Sequence, residues 1–122
     1  MDRSRMIQYQ PQDEAGSLCF SQVDPDVLAG EVGAFFAGRR YRLEEGTPLY
    51  GVYGTGSAVL RALFGAFARR YKFQVVIQPQ DAYVWLRVGK AMSGAMGGVI
   101  GYSRMRKETV AILQGLQAYF SS

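Results

Sequence analysis

Tyr83, Trp85 and Arg87 stand at alternate positions, so any extended segment that carries them puts two rings and a guanidinium on one side. Lys72 and Gln74 share that spacing just upstream, and Arg40, Arg42 and Tyr53 belong to an earlier candidate hairpin. Rings interleaved with cations suit two kinds of work. Flat faces stack on the bases of single-stranded nucleic acid while Arg and Lys neutralise phosphates. The same residue types are enriched where one protein meets another.

Two further stretches are candidate anion sites. Gly54-Thr55-Gly56-Ser57 leads from a strand-like run into a helix-like run, with Arg61 one turn on. Free amides at a helix start attract anions, and glycine lets a phosphate come close. The Walker A spacing is absent, however, and these glycines do not follow G-x-G-x-x-G, so a tight turn capped by Ser57 is the simpler reading. Arg104, Arg106 and Lys107 follow a second glycine-rich stretch. Cations early in a helix oppose its dipole, which either invites an anionic partner or marks a solvated face. Arg69-Arg70 ends a helical run, where the dipole favours cations.

Absences exclude more than these motifs assign. The chain has no histidine and one cysteine, Cys19. Histidine-based acid–base chemistry, Ser-His-Asp and Cys-His nucleophiles, and His or multi-Cys metal cages are therefore unavailable. Acids are sparse after residue 45, which argues against a paired-carboxylate site in the core. The expectation is a non-enzymatic chain with no cofactor and no metal.

Charge is lopsided. Residues 46–122 hold nine Lys/Arg against Asp81 and Glu108, a net of +7, whereas residues 1–45 hold five Arg against eight acids, a net of −3. A positive body favours anionic partners, and an acidic arm competes with them. A hydrophobic content of 48% with 20% charged residues is that of a folded domain, and 122 residues suffice for one core. No run reaches the ~18 apolar residues of a membrane helix. The polar start MDRSRMIQYQPQDE does not read as a secretory signal, and the expected location is the cytoplasm.

Residues 1–23 read as a flexible acidic arm, in which Leu18-Cys19-Phe20 could dock on the body or add a short edge strand. Residues 24–122 read as a single α+β domain. Asp24-Pro25-Asp26 is a helix start, followed by an apolar stripe of Val27, Leu28, Val32, Phe35 and Phe36 and a stop at Gly38. Residues 39–53 read as a hairpin turning at Gly46-Thr47, which pairs Tyr41 with Val52, Leu43 with Tyr50, Arg42 with Gly51 and Arg40 with Tyr53. Leu60, Leu63, Phe64 and Phe67 give a middle helix over 57–70. A second hairpin spans 72–88 with a loop at Pro79–Ala82. It pairs Phe73 with Val88, Val75 with Leu86 and Ile77 with Val84 on a core face, leaving Gln74, Val76, Gln78, Tyr83, Trp85 and Arg87 on the other. Residues 89–102 read as a close-packed turn or one frayed helical turn, and the Met/Gly/Val/Ile stretch at 91–101 has a mobile lid over an apolar cavity or a shallow membrane-insertion loop as its functional alternatives. A last helix runs from Ser103 to about Phe120 with a stripe of Met105, Ile112, Leu116 and Phe120.

The expected fold is α+β: a four-stranded antiparallel sheet with three helices, order α-ββ-α-ββ-α, helices mainly on one face. The expected function is a binding module. Its basic and aromatic sheet face (Arg40, Arg42, Tyr53, Lys72, Gln74, Tyr83, Trp85, Arg87) serves homo-oligomerisation or a protein partner. The alternatives are single-stranded nucleic-acid binding by the same residues, and a small apolar-ligand carrier or enzyme with its pocket between sheet and helices. No transmembrane segment and no peripheral membrane contact are expected.

Overall fold

The hairpin of residues 72–90 organises the rest of the chain. The structure, a computed structural model, describes residues 6–11, 15–55, 72–91 and 98–121. Its strands are β1 (Met6–Pro11), β2 (Ala15–Ser21), β3 (Arg42–Thr47), β4 (Tyr50–Gly54), β5 (Lys72–Gln80) and β6 (Tyr83–Lys90). Its helices are α1 (Pro25–Gly38) and α2 (Gly98–Ser121). The strands form one sheet in the order β1-β2-β6-β5-β4-β3, each neighbouring pair antiparallel.

This corrects the four-stranded expectation. The two additional strands come from the segment read as an arm. Gly16, Leu18 and Phe20 alternate with Ser17, Cys19 and Ser21, and that alternation matches β6: Leu18 pairs Leu86 and Phe20 pairs Val84. Burying Leu18 and Phe20 against these partners outweighs the entropy of a free terminus, so β2 sits inside the sheet rather than at its edge. Two helices, not three, stand among the described residues; the expected middle helix at 57–70 lies outside them.

Both hairpins differ from expectation in register. β5 and β6 turn at Asp81-Ala82, with Asp81 at φ 56°, so Gln80 pairs Tyr83, Ile77 pairs Leu86 and Val75 pairs Val88. The expected loop began at Pro79, yet Pro79 is in the strand. Ile77 donates its N–H to Leu49 O at 2.8 Å, on the β4 side. Pro79 faces the same side, three residues beyond β4's last pair at Val76, so its missing N–H forfeits no ladder bond. The shift is by two residues, which preserves the faces.

The first hairpin turns at Pro48-Leu49, not Gly46-Thr47. Thr47 pairs Tyr50, and Thr47 Oγ1 accepts from the Tyr50 N–H at 3.2 Å. Proline suits the first central position of such a turn. Gly46 stays in β3 at φ 77°, where a side chain would meet the Tyr50 carbonyl and Gly51. A bulge at Glu44 then puts Leu43 opposite Tyr53 and Arg42 opposite Gly54.

α1 begins as its sequence indicates: the Asp24 carboxylate accepts from the Asp26 N–H at 2.8 Å and Pro25 follows the cap. It continues through Gly38, and the chain turns away at Arg40, φ 67°. Val27 is exposed, and Ala29 takes its place in the buried stripe. α2 is already helical at Gly98, ahead of the expected Ser103. Glycine costs about 1 kcal/mol per helical position, and a 24-residue helix whose later turns are buried carries that cost.

Both helices pack on one face of the sheet. Leu28, Val32, Phe36, Ile112, Leu116 and Phe120 meet Leu18, Phe20, Phe73, Val75, Leu86 and Val88, all at most 1% exposed. Phe20 meets Phe120 edge to face, with centroids 4.9 Å apart. Tyr119 Oη donates to Glu31 at 2.6 Å and Tyr41 Oη donates to Glu108 at 2.7 Å, tying α2 to α1 and to the segment after it.

Candidate functional site

Strand parity builds the opposite face, free of both described helices. Three cross-strand rows run over it. The first joins Gln8, Cys19, Trp85 and Gln78. The second joins Gln10, Ser17, Arg87, Val76, Tyr50 and Thr47, crossing all six strands. The third joins Ala15, Gly89, Gln74, Val52 and Glu45. Neighbours in a row have Cβ atoms about 4.5–5.5 Å apart, so their side chains form one continuous surface.

Six of the eight expected surface residues lie here: Arg42, Lys72, Gln74, Tyr83, Trp85 and Arg87. Two do not. Tyr53 points to the helices, 5% exposed, and its ring stacks on Phe36 with centroids 4.6 Å apart and 9° between planes. The turn, two residues later than expected, preserves the faces; the bulge at Glu44 is what puts Tyr53 opposite Leu43 on the helix side. Burial pushes the Tyr53 phenol above its ordinary pKa. Arg40 lies outside the sheet, exposed in the turn after α1.

The cations of this face are partly answered by acids. Glu44, displaced by the bulge, lies under Gly54, where a side chain would come within 2.7 Å of its carboxylate. From there Glu44 Oε1 stands 3.8 Å from Lys72 Nζ. Glu45 also lies on this face, opposite Val52. Arg87 is exposed and has no ion-pair partner among the described residues.

The face is also more apolar than its charges suggest. Tyr50 is 62% exposed and Tyr83 45%, and Trp85, Val76 and Val52 are half-buried between them. Cys19 sits between Gln8 and Trp85, 3% exposed, and burial raises its thiol pKa. Tyr50, Val52, Gln10 and Ser17 were missing from the expected surface. Strand alternation marks them once the bulge at Glu44 is placed and β1 and β2 join the sheet.

A groove of about 530 Å³ opens over β1, β2, β6 and β5. Trp85, Arg87, Ser17, Gln10, Gln74 and Lys90 line it, and Ala15 and Gly89 add only a methyl and a hydrogen beside them.

The two glycine-rich candidates fare differently. Gly54 is a strand residue packed over Glu44, and Thr55 follows it; Gly56, Ser57 and Arg61 lie outside the described residues. Arg104, Arg106 and Lys107 fall beyond the first turn of α2 because the helix is already formed at Gly98. Their expected role at a helix start is therefore corrected. Arg106 and Lys107 are exposed on that helix. Among the described residues, no helix is long and apolar enough to cross a membrane. No protein-family model matches the chain, and no curated protein sequence matches it.

Proposed function

We propose that the chain is a non-enzymatic binding module whose helix-free sheet face seats another protein surface, in the first instance a second copy of itself. One observation carries the reading. The face opposite both described helices presents Tyr50 and Tyr83 to solvent beside half-buried Trp85, Val76 and Val52. An antiparallel sheet can leave a polar face in water, but a contiguous aromatic and aliphatic patch gains by being covered. Packing two such faces about 10 Å apart gives an α-β-β-α sandwich.

Self-pairing is favoured over single-stranded nucleic acid by the electrostatics. Tyr53 and Arg40 are lost to that surface, and Glu44 and Glu45 stand against Arg42, Lys72 and Arg87 on it. Near charge balance suits a face that meets its own copy. It does not suit a phosphate backbone, whose binding depends on a cationic surface.

Sedimentation over a range of concentrations tests this. The mass should rise with concentration. Tyr50→Ala should weaken association by roughly 1–2 kcal/mol, as truncation of an interface aromatic does. Val76→Lys should abolish it, and Val110→Lys on the exposed side of α2 should leave it unchanged. A strictly monomeric wild type, or variants that associate like it, would overturn the proposal.

A further inference from the structure

The groove over β1, β2, β6 and β5 collects polar side chains that the fold does not use. Gln10, Ser17, Gln74, Trp85 and Arg87 have no side-chain hydrogen bond or ion pair with other described residues. Among the described residues, Arg87 is the charged side chain that strand parity aims into it, and no carboxylate lines it. The row beyond Arg87 begins with Ala15 and Gly89, so no large side chain of those two strands stands beside the guanidinium. Trp85 stands two residues from Arg87 on the same side of β6 and supplies an indole ring and an N–H. At about 530 Å³ the groove lies within the ~300–1,000 Å³ typical of small-molecule sites.

We infer that this groove binds a small anion carrying a flat ring, an aromatic carboxylate being the simplest form. The Arg87 fork presents paired donors that match one carboxylate. The Gln10 and Gln74 amides, the Ser17 hydroxyl and the indole N–H supply neutral donors around it. A ring stacks against Trp85 while its carboxylate meets Arg87, one row along the strand. The groove lies on the face proposed for self-association, so ligand and second copy compete for it; ligand binding is read by titration of protein dilute enough to be monomeric, and association by mass.

The chain has one tryptophan, so the indole N–H gives a single resonance. Titrating the dilute full chain with sodium benzoate should move that resonance saturably, with a Kd at or below about 1 mM. Benzyl alcohol, which keeps the ring and lacks the charge, and inorganic phosphate, which lacks the ring, should each bind at least about tenfold more weakly. Arg87→Gln should weaken benzoate at least about tenfold while leaving the unfolding midpoint in place. Arg42→Gln, on the same face at the far edge, should leave benzoate binding unchanged. No saturable shift, equal binding of benzyl alcohol or phosphate, or an Arg87→Gln variant that binds like the parent would overturn the inference.

Discussion

Tyr53 shows how far one side chain depends on a bulge in the strand before it. Stacked on Phe36, with its hydroxyl beside Gly33, it is part of the seam between β4 and α1. Its raised pKa has a consequence for stability. Below the ordinary value of 10.0 both the folded and unfolded chains keep the phenolic proton. Above 10.0 the unfolded chain ionises while the buried phenol resists, so stability falls as pH climbs through that value toward the folded pKa. Tyr9 is shifted the same way by burial and adds to the loss. Tyr53→Phe should cost less than about 1 kcal/mol at neutral pH and should flatten the alkaline decline. Denaturant midpoints measured from neutral to alkaline pH check this, and parallel profiles for parent and variant would refute it. The identity of this residue said only that its ring would be buried or displayed. The choice was hidden because nothing in the sequence marks the bulge at Glu44, which puts Leu43 and Tyr53 on the same face.

At the scale of elements, the alternation of hydrophobic residues located β5 and β6 and their core face, because Phe73, Val75, Ile77, Val84, Leu86 and Val88 leave few ways to bury themselves. It left their register open, since a shift of two residues preserves every face. The α1 start was equally legible from Asp24 and Pro25. β2 was obscured by its short polar surroundings, although Leu18 and Phe20 carry a strand's spacing. The close approach of β2 to α2 yields a sharp prediction. A side chain at Gly16 would begin 2.5 Å from Leu113 Cδ2, and Leu113 is buried on all sides. Gly16→Ala should therefore cost about 1–3 kcal/mol through overpacking. Gly30, exposed in α1 with nothing within 4 Å of the added methyl, should respond oppositely. Gly30→Ala should gain about 0.5–1 kcal/mol from helix propensity alone. Chemical denaturation of the two variants reads both signs, and a neutral Gly16→Ala would contradict the packing of β2 under α2.

For the molecule as a whole, the two described helices lie on one side of a six-stranded sheet, and the proposed partner takes the other. The edges of that sheet are unlike. β3 carries Arg42, Glu44, Glu45 and a bulge, which guard it against further pairing; β1 carries no charge between Met6 and Pro11 and exposes Ile7 at its own bulge. The candidate face was legible in part from Trp85, Arg87, Gln74 and Lys72, whose parity follows from the strongest hairpin. Its apolar half, Tyr50 and Val52, required the bulge at Glu44, and its groove required β1 and β2. The net +7 of residues 46–122 suggested a basic surface, but charge in the sequence carries no face. On this face that segment places Lys72 and Arg87, and the bulged Glu44 and its neighbour Glu45 stand against them. Trp85, the single tryptophan, reports on the proposed contact directly. Its emission should shift to the blue as the protein is concentrated, in step with the rise in mass, and Val76→Lys should remove both changes. A mass that rises while Trp85 emission stays fixed would place the contact elsewhere and contradict the assignment of this face.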